Sequence, residues 1–365
     1  MKRKVWALIS AVVAVGLVWL LFHNTDWAQL AAALGSARAG WLLLSQVPIW
    51  LSFFTRIQRW GYIVRAVKPD TSFRSMFSAT QIAFLANFTV AMRIGEVVRA
   101  VVLSRLARIP FSKSFALATL DRVADLIGLI VVVFITVLAF RPAADLVLSP
   151  GTVGNSEPYT IPANLITIGA EVTTVALIAV IGGLVLLYLN QRIVLRLTER
   201  CLGIVSVRIA AWACRMLHQF ADGLHVFRSA GDMAKASAFS LITWACFLWA
   251  GVCFFKAFDI DCPWYTVFVM QSLLAFAVSL PGVPGMLGQF HLPIIVTLVM
   301  VADSPVAKAQ AVAILAHLLN LIPVALAGVY CLFRENLSLV ALSRDTADAE
   351  EALHREPLGE APGPD

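Results

Sequence analysis

Charged residues are scarce in this chain, and so are the motifs that handle nucleotides or metals. Of its 365 residues only 14% are charged and 60% are hydrophobic, whereas a soluble globular protein averages about 25% charged and about 45–50% apolar. A water-soluble globular protein is therefore excluded. The sequence has no G-x-x-x-x-G-K-[ST] phosphate loop, no H-E-x-x-H and no G-x-S-x-G, and no long polar stretch remains to hold a nucleotide pocket. ATP hydrolysis and ordinary hydrolase chemistry fall away with them. Six cysteines are scattered at Cys201, Cys214, Cys246, Cys253, Cys262 and Cys331. They form no C-x-x-C pair and no zinc spacing, so neither a metal site nor a disulfide framework is indicated. The expectation is a protein with no cofactor that is not an enzyme.

Long apolar runs are abundant. Windows of about 19 residues mark spans near 5–22, 41–55, 114–140, 164–189, 236–256, 264–280, 286–302 and 309–333. Runs of this kind cross a hydrocarbon core of about 30 Å as helices, because only helices satisfy their own backbone there. The fold class is all-α, a polytopic membrane bundle of about eight spans over residues 1–333. The tail, 334–365, holds eight acids against three arginines and reads as a disordered cytoplasmic extension. The first run follows Met-Lys-Arg-Lys and exceeds the apolar core of a cleaved signal peptide, which favours a retained anchor.

Basic residues set the orientation. The net charge of +6 sits in short connections rather than on one soluble face, so anionic lipid headgroups are the expected partners and nucleic acid is not. Lys2, Arg3 and Lys4 precede the first span, and Arg56, Arg59, Arg65, Lys68 and Arg74 follow the second. The positive-inside rule then puts both termini in the cytoplasm, in a bacterial inner membrane. The basic stretch 207–227 reads as a membrane-surface helix.

A shorter apolar segment, 76–92, has basic residues on both sides, Arg74 before and Arg93, Arg99, Arg105, Arg108 and Lys113 after. A full crossing would strand one cluster outside, so the segment reads as a re-entrant hairpin; an interfacial amphipathic helix is the alternative.

Ions at membrane depth are costly, about 2.5–3.5 kcal/mol each at a helix centre, and so line a pathway or pair with one another. The block R-I-G-E-V-V-R places Arg93, Gly95, Glu96 and Arg99 together. Glu96 and Arg99 are spaced to pair, which leaves Arg93 with donors for a phosphate; juxtamembrane arginines beside an incidental acid are the plainer reading. In L-D-R-V-A-D-L, Asp121 and Asp125 share a face and Arg122 reaches Asp125 at i,i+3. These groups leave one acid over, so the two blocks are expected to form one network. Further on, S-L-P-G-V-P-G-M-L-G-Q-F-H breaks two apolar runs at Gly285 and Gly288, either opening backbone to a cavity or making a plain turn. Glu171, His291, His317 and Asn320 read as lone polar packing residues. Aligning Gln81 with Gln271 sets Gly95 over Gly285, and paired broken segments in two halves point to a transporter site.

At these residues the chain resembles the flippase-like family that includes the transmembrane region of lysylphosphatidylglycerol synthase. The resemblance runs over roughly 41–333 and rests on Arg56 with Arg59-Trp60, on Asn87 to Arg99, on Asp121-Arg122 with Asp125, and on Pro284 to His291. Ala91-Met92 stands where the family has Pro-Gly, Asp121 where it has glutamate, Met286 inside its late glycine pair, and His291 where it has a second glutamate. The resemblance implies a lipid translocase without ATP hydrolysis, moving an anionic phospholipid or a polyprenyl-phosphate-linked lipid. The aminoacyl-transfer domain of the full synthase has no counterpart in residues 1–365. A membrane enzyme or accessory subunit of lipid-linked sugar transfer is the rival reading, and association with a lipid-modifying enzyme or glycosyltransferase is compatible with either.

Overall fold

The computed structural model describes residues 2–89, 94–142, 144–150, 152, 155, 157–203, 206, 210, 214, 217, 230–279, 283–339, 341–342 and 346. Among them twelve α-helices account for nearly all regular structure. In chain order they are α1 Lys2–Phe22, α2 Trp27–Gly35, α3 Ala39–Val67, α4 Phe73–Thr89, α5 Gly95–Ala107, α6 Phe111–Ala139, α7 Ala163–Leu189, α8 Gln191–Gly203, α9 Ala230–Ala257, α10 Thr266–Ser279, α11 His291–Val301 and α12 Val306–Arg334. The connection after α6 carries two short strands, β1 Leu146–Leu148 and β2 Tyr159–Ile161, paired antiparallel with Leu146 opposite Ile161. The hairpin, α2 and α8 are elements that hydropathy did not anticipate. In α2 the carboxylate of Asp26 accepts the backbone N–H groups of Gln29 and Ala28, which holds its pKa below the usual carboxylate value.

Among the described residues three helices are long and apolar enough to cross a membrane: α6, α9 from Gly231, and α12. Their outer faces stay apolar and exposed, as at Leu138, Ile242, Leu326 and Phe333, which is the surface a bilayer covers rather than water. This is a membrane protein.

Helix α3 does not stop with its apolar run near residue 55. It continues to Val67 and carries Arg56 and Arg59 inside the bundle, with Arg59 only 1% exposed. Those two arginines are thus not part of a loop cluster. Helices α3 and α9 lie side by side and antiparallel: Arg38 N–H donates to Ala257 O at 2.8 Å, the hydroxyls of Thr55 and Thr243 meet at 2.8 Å, and the Tyr62 ring stacks near Phe239. Ile49 and Phe53 of α3 join one apolar core with Leu21, Phe254, Ile294 and Leu298. One turn on, Ile57, Trp60 and Ile63 join a second, with Met76, Ile82, Val98 and Leu103. Arg56 and Arg59 sit where α3 passes from one core to the other.

The segment 76–92 is not itself a hairpin. Residues 73–89 form one continuous helix, and the return is made by α5 after the break. Ser78 through Ala83 are all buried, a run longer than a turn, so α4 has no face left for an interface. A second short pair follows the same plan, with α10 and α11 separated by a break that holds one 3₁₀ turn, Pro284–Met286. α4 packs against that turn, so the two broken hairpins meet. Their first arms end at Thr89 and Ser279, in the register that sets Gln81 over Gln271. Beyond the breaks the likeness fades, because α5 resumes at Gly95 and α11 only at His291.

Past α12, Glu335 accepts the Ser78 hydroxyl at 2.8 Å, and Leu337, Leu339 and Leu342 pack on the second core. Most of 343–365 and most of the surface stretch 207–227 lie outside the described residues.

Candidate functional site

Arg56, Arg59 and Trp60 recur at i, i+3 and i+4 on α3 and share a face. Arg59 donates through Nε to Asp121 Oδ1 at 2.8 Å and through Nη1 to Asp125 Oδ1 at 2.5 Å. The second oxygen of Asp121 takes Arg99 Nη1 at 2.7 Å, so one carboxylate on α6 ties α3 to α5. Arg122 donates to Glu96, with Nε at 2.8 Å from Oε1. The Arg99 guanidinium lies 3.6 Å over the Trp60 ring, and Trp60 donates from Nε1 to Leu117 O at 3.2 Å.

The 93–99 and 120–126 blocks are therefore brought into one network, but with different partners from those the spacing suggested. Arg122 goes to Glu96 rather than Asp125, and Glu96 and Arg99 approach only to 4.0 Å. Burial explains the exchange, since Asp121 at 3% exposure needs charged donors on both oxygens and the other helices supply them. Arg99 is turned to Asp121 in this way and does not line the cavity beside Arg56, although its Nε is buried without a hydrogen bond. Arg93 lies outside the described residues.

Arg56 differs from the other three arginines. It forms no ion pair among the described residues; its guanidinium sits 5.4 Å from the Phe84 ring centroid and 4.9 Å from that of Phe247, and Nε is buried without a hydrogen bond. Among the described residues four guanidinium groups here face three carboxylates, and Arg56 is the cation in excess.

Arg56 opens onto a cavity of about 780 Å³. One part of its wall is polar, built from Arg56, Asn87, Glu96, Arg122 and Asp125; the rest is largely apolar, with Phe84, Phe254, Leu274, Ile294 and Val324, and Gln271 and Asn320 are among its polar interruptions. Thr119 and Leu126 of α6 and Ser279 of α10 line it and are also exposed, so the cavity reaches the surface between those two helices.

Two glycines shape the walls. A Cβ on Gly95 would lie 2.4 Å from Asn87 Nδ2; without one, Asn87 Oδ1 accepts the Gly95 N–H at 2.8 Å and closes the first break. A Cβ on Gly128 would meet Trp244 Cδ1 at 2.0 Å, where the indole donates to Asp125 O at 3.2 Å and lines the cavity. Sequence reasoning passed over Trp244 and Ser240, which donates to Ala124 O at 2.8 Å. Their only signal is polar capacity spaced i,i+4 on an apolar helix.

The second break uses left-handed backbone at Gly285, Met286 and Gly288, with φ of 66°, 53° and 76°. Gly288 is pressed on α1, where a Cβ would lie 2.4 Å from Leu17 Cβ. Met286 and Phe290 line the cavity, whereas Gly285, Gly288 and His291 do not. His291 is also not alone: its Nε2 is 3.4 Å from His317 Nδ1. Glu171 is exposed, and Asn320 donates to Ala316 O at 2.8 Å.

Residues 7–328 match the family model described as lysylphosphatidylglycerol synthase TM region. A curated relative, the glycosyltransferase AglD of Haloferax volcanii, is 25% identical over 369 residues, an alignment covering 96% of this chain and 58% of that protein. The chain thus spans little more than half the length of the curated relative it matches. No solved structure matches.

Proposed function

The chain belongs to the lysylphosphatidylglycerol synthase transmembrane-region family, and from that membership we propose that it moves an anionic lipid between bilayer leaflets without ATP hydrolysis. The observation that carries the reading is the cavity: an uncompensated guanidinium at Arg56 beside an apolar chamber open toward the surrounding lipid. A phosphate on Arg56 restores charge balance, and the acyl or polyprenyl chain occupies the aromatic and aliphatic wall. Asp121 lies ten residues past Phe111 along α6, about 15 Å at about 1.5 Å per residue, which suits a headgroup site near the middle of a hydrocarbon core of about 30 Å. Meeting broken hairpins around such a site are the arrangement that alternating access uses.

By the positive-inside rule both termini face the cytoplasm of an inner membrane. One negative charge leaving an inside-negative cell then gains about 2.3 kcal/mol per 100 mV, which favours outward movement of a lipid phosphate. The relative's name supports a second reading, in which the chain presents a lipid-linked sugar to a glycosyltransferase. Reconstitution separates the two. Vesicles holding the purified protein are expected to expose a labelled anionic lipid faster than empty vesicles; no acceleration, with turnover of a sugar donor instead, would reject translocation.

A further inference from the structure

His291, at the start of α11, and His317, within α12, are 6% and 4% exposed. Their hydrogen bonds fix both tautomers. Gly288 N–H donates to His291 Nδ1 at 3.2 Å, so that nitrogen carries no proton and Nε2 must. His291 Nε2–H then donates across 3.4 Å to His317 Nδ1, which places the second proton on His317 Nε2. That atom is buried without a close hydrogen bond, and the His317 ring interacts with the Gly285 backbone. A chain of donors thus runs from the second tip to α12 and back toward the tip.

Neither imidazole has a vacant lone pair. An added proton must enter at His291 Nδ1, expelling the Gly288 N–H, or at His317 Nδ1, where it would face the His291 Nε2–H. The first frees the turn 285–288 and the second parts α11 from α12. Closed tip and protonated pair are therefore mutually exclusive. The surrounding elements supply aromatic contacts and no compensating charge: Phe22 of α1 edge-on at His291, Phe88 of α4 at 6.3 Å from His317, and Phe290 stacked on His317 at 5.0 Å. Apart from the two imidazoles acting on each other, no carboxylate or cation among the described residues acts on either ring. Phe88 and Phe290 are also cavity wall, so the rings that contact the pair contact the chamber too.

We propose that His291 and His317 form a proton-binding pair that holds the second hairpin tip closed when neutral and opens it when protonated, which couples lipid movement to a proton. Only the coupling to lipid rests on the translocation reading; opening of the tip does not. Whatever opens the tip raises the pair's proton affinity by the same factor. With an ordinary imidazole pKa of about 6.5 in the open state and no protonation in the closed one, the open population rises about tenfold between about pH 7.5 and about pH 5.5.

The test uses the full chain in nanodiscs with an environment-sensitive fluorophore on Leu287→Cys, an exposed tip position, and with Cys201, Cys214 and Cys262 changed to serine. Emission is expected to report that rise, to become flat with pH in His291→Gln and in His317→Gln, and to be unchanged by His23→Gln. A wild-type signal flat over this range overturns the proposal whether or not the variants fold, and so does a titration that survives in both. In vesicles the exposure rate of a labelled anionic lipid should rise with the same pH dependence. If the tip titrates but no lipid moves at any pH, translocation falls and the latch stands; if lipid moves with no pH dependence and the tip is silent, the latch falls and translocation stands.

Discussion

Asp121 receives one arginine from each of two other helices, and its side chain makes the sharpest distinction between holding the fold and serving a ligand. Asp121→Asn leaves Arg59 and Arg99 facing a neutral amide in a buried site, and the expected loss is about 3–5 kcal/mol, read as a lower unfolding midpoint in detergent. Arg56→Gln should behave in the opposite way, because Arg56 makes no ion pair or hydrogen bond to an acid and interacts with Asp125 only at longer range. Stability should change by less than about 1 kcal/mol while affinity for an anionic lipid falls roughly tenfold or more, the value of hydrogen bonds of about 1.5–3 kcal/mol to a charged group. Met286 supplies a third case. It holds φ 53°, a conformation costing a side chain about 1–2 kcal/mol, so Met286→Gly is expected to stabilise the protein by up to about 1 kcal/mol in the same unfolding measurement. At this scale the sequence showed which residues belong together but not who pairs with whom. The spacing of Glu96, Arg99, Arg122 and Asp125 allowed pairs along a helix, and burial of Asp121 directed the guanidinium groups across helices instead.

At the scale of elements, the first break is closed by one contact, Asn87 Oδ1 to the Gly95 N–H, made where only glycine leaves room. Gly95→Ala should push Asn87 away and loosen the start of α5, and Asn87→Ala should lose the bond. Because each substitution disturbs the same contact, the double variant is expected to cost less than the sum of the singles, with a coupling of about 0.5–3 kcal/mol in a thermal-unfolding cycle; strict additivity would show that the two residues act separately. The extent of α3 was the element least legible in the sequence. A hydropathy window sees the charge on Arg56 and Arg59 but not Asp121 and Asp125, 62 and 66 residues away from Arg59, and so ends the helix near residue 55. The breaks were legible from glycine, proline and charge. Their depth was not, because the burial of α4 is set by helices distant in sequence.

For the whole molecule, composition alone settled the membrane class and the helical fold, and the motif blocks named the family. The cavity could not be read in advance, since its wall is assembled from α3, α4, α5, α6, α9, α10, α11 and α12, and no periodicity on any one of them marks the face turned to the chamber. What the assembled molecule adds is asymmetry: polar groups gathered in one part, aromatic and aliphatic walls in the rest, and one arginine in excess at the boundary. The most direct measurement is the rate at which vesicles holding the wild-type chain or Arg56→Gln expose fluorescent phosphatidylglycerol and, separately, fluorescent phosphatidylcholine to a membrane-impermeant quencher. The account predicts that the wild type accelerates exposure of the anionic lipid well above that of the zwitterionic one and that Arg56→Gln abolishes the difference. Equal rates for both lipids, or a preference that survives in Arg56→Gln, would contradict it.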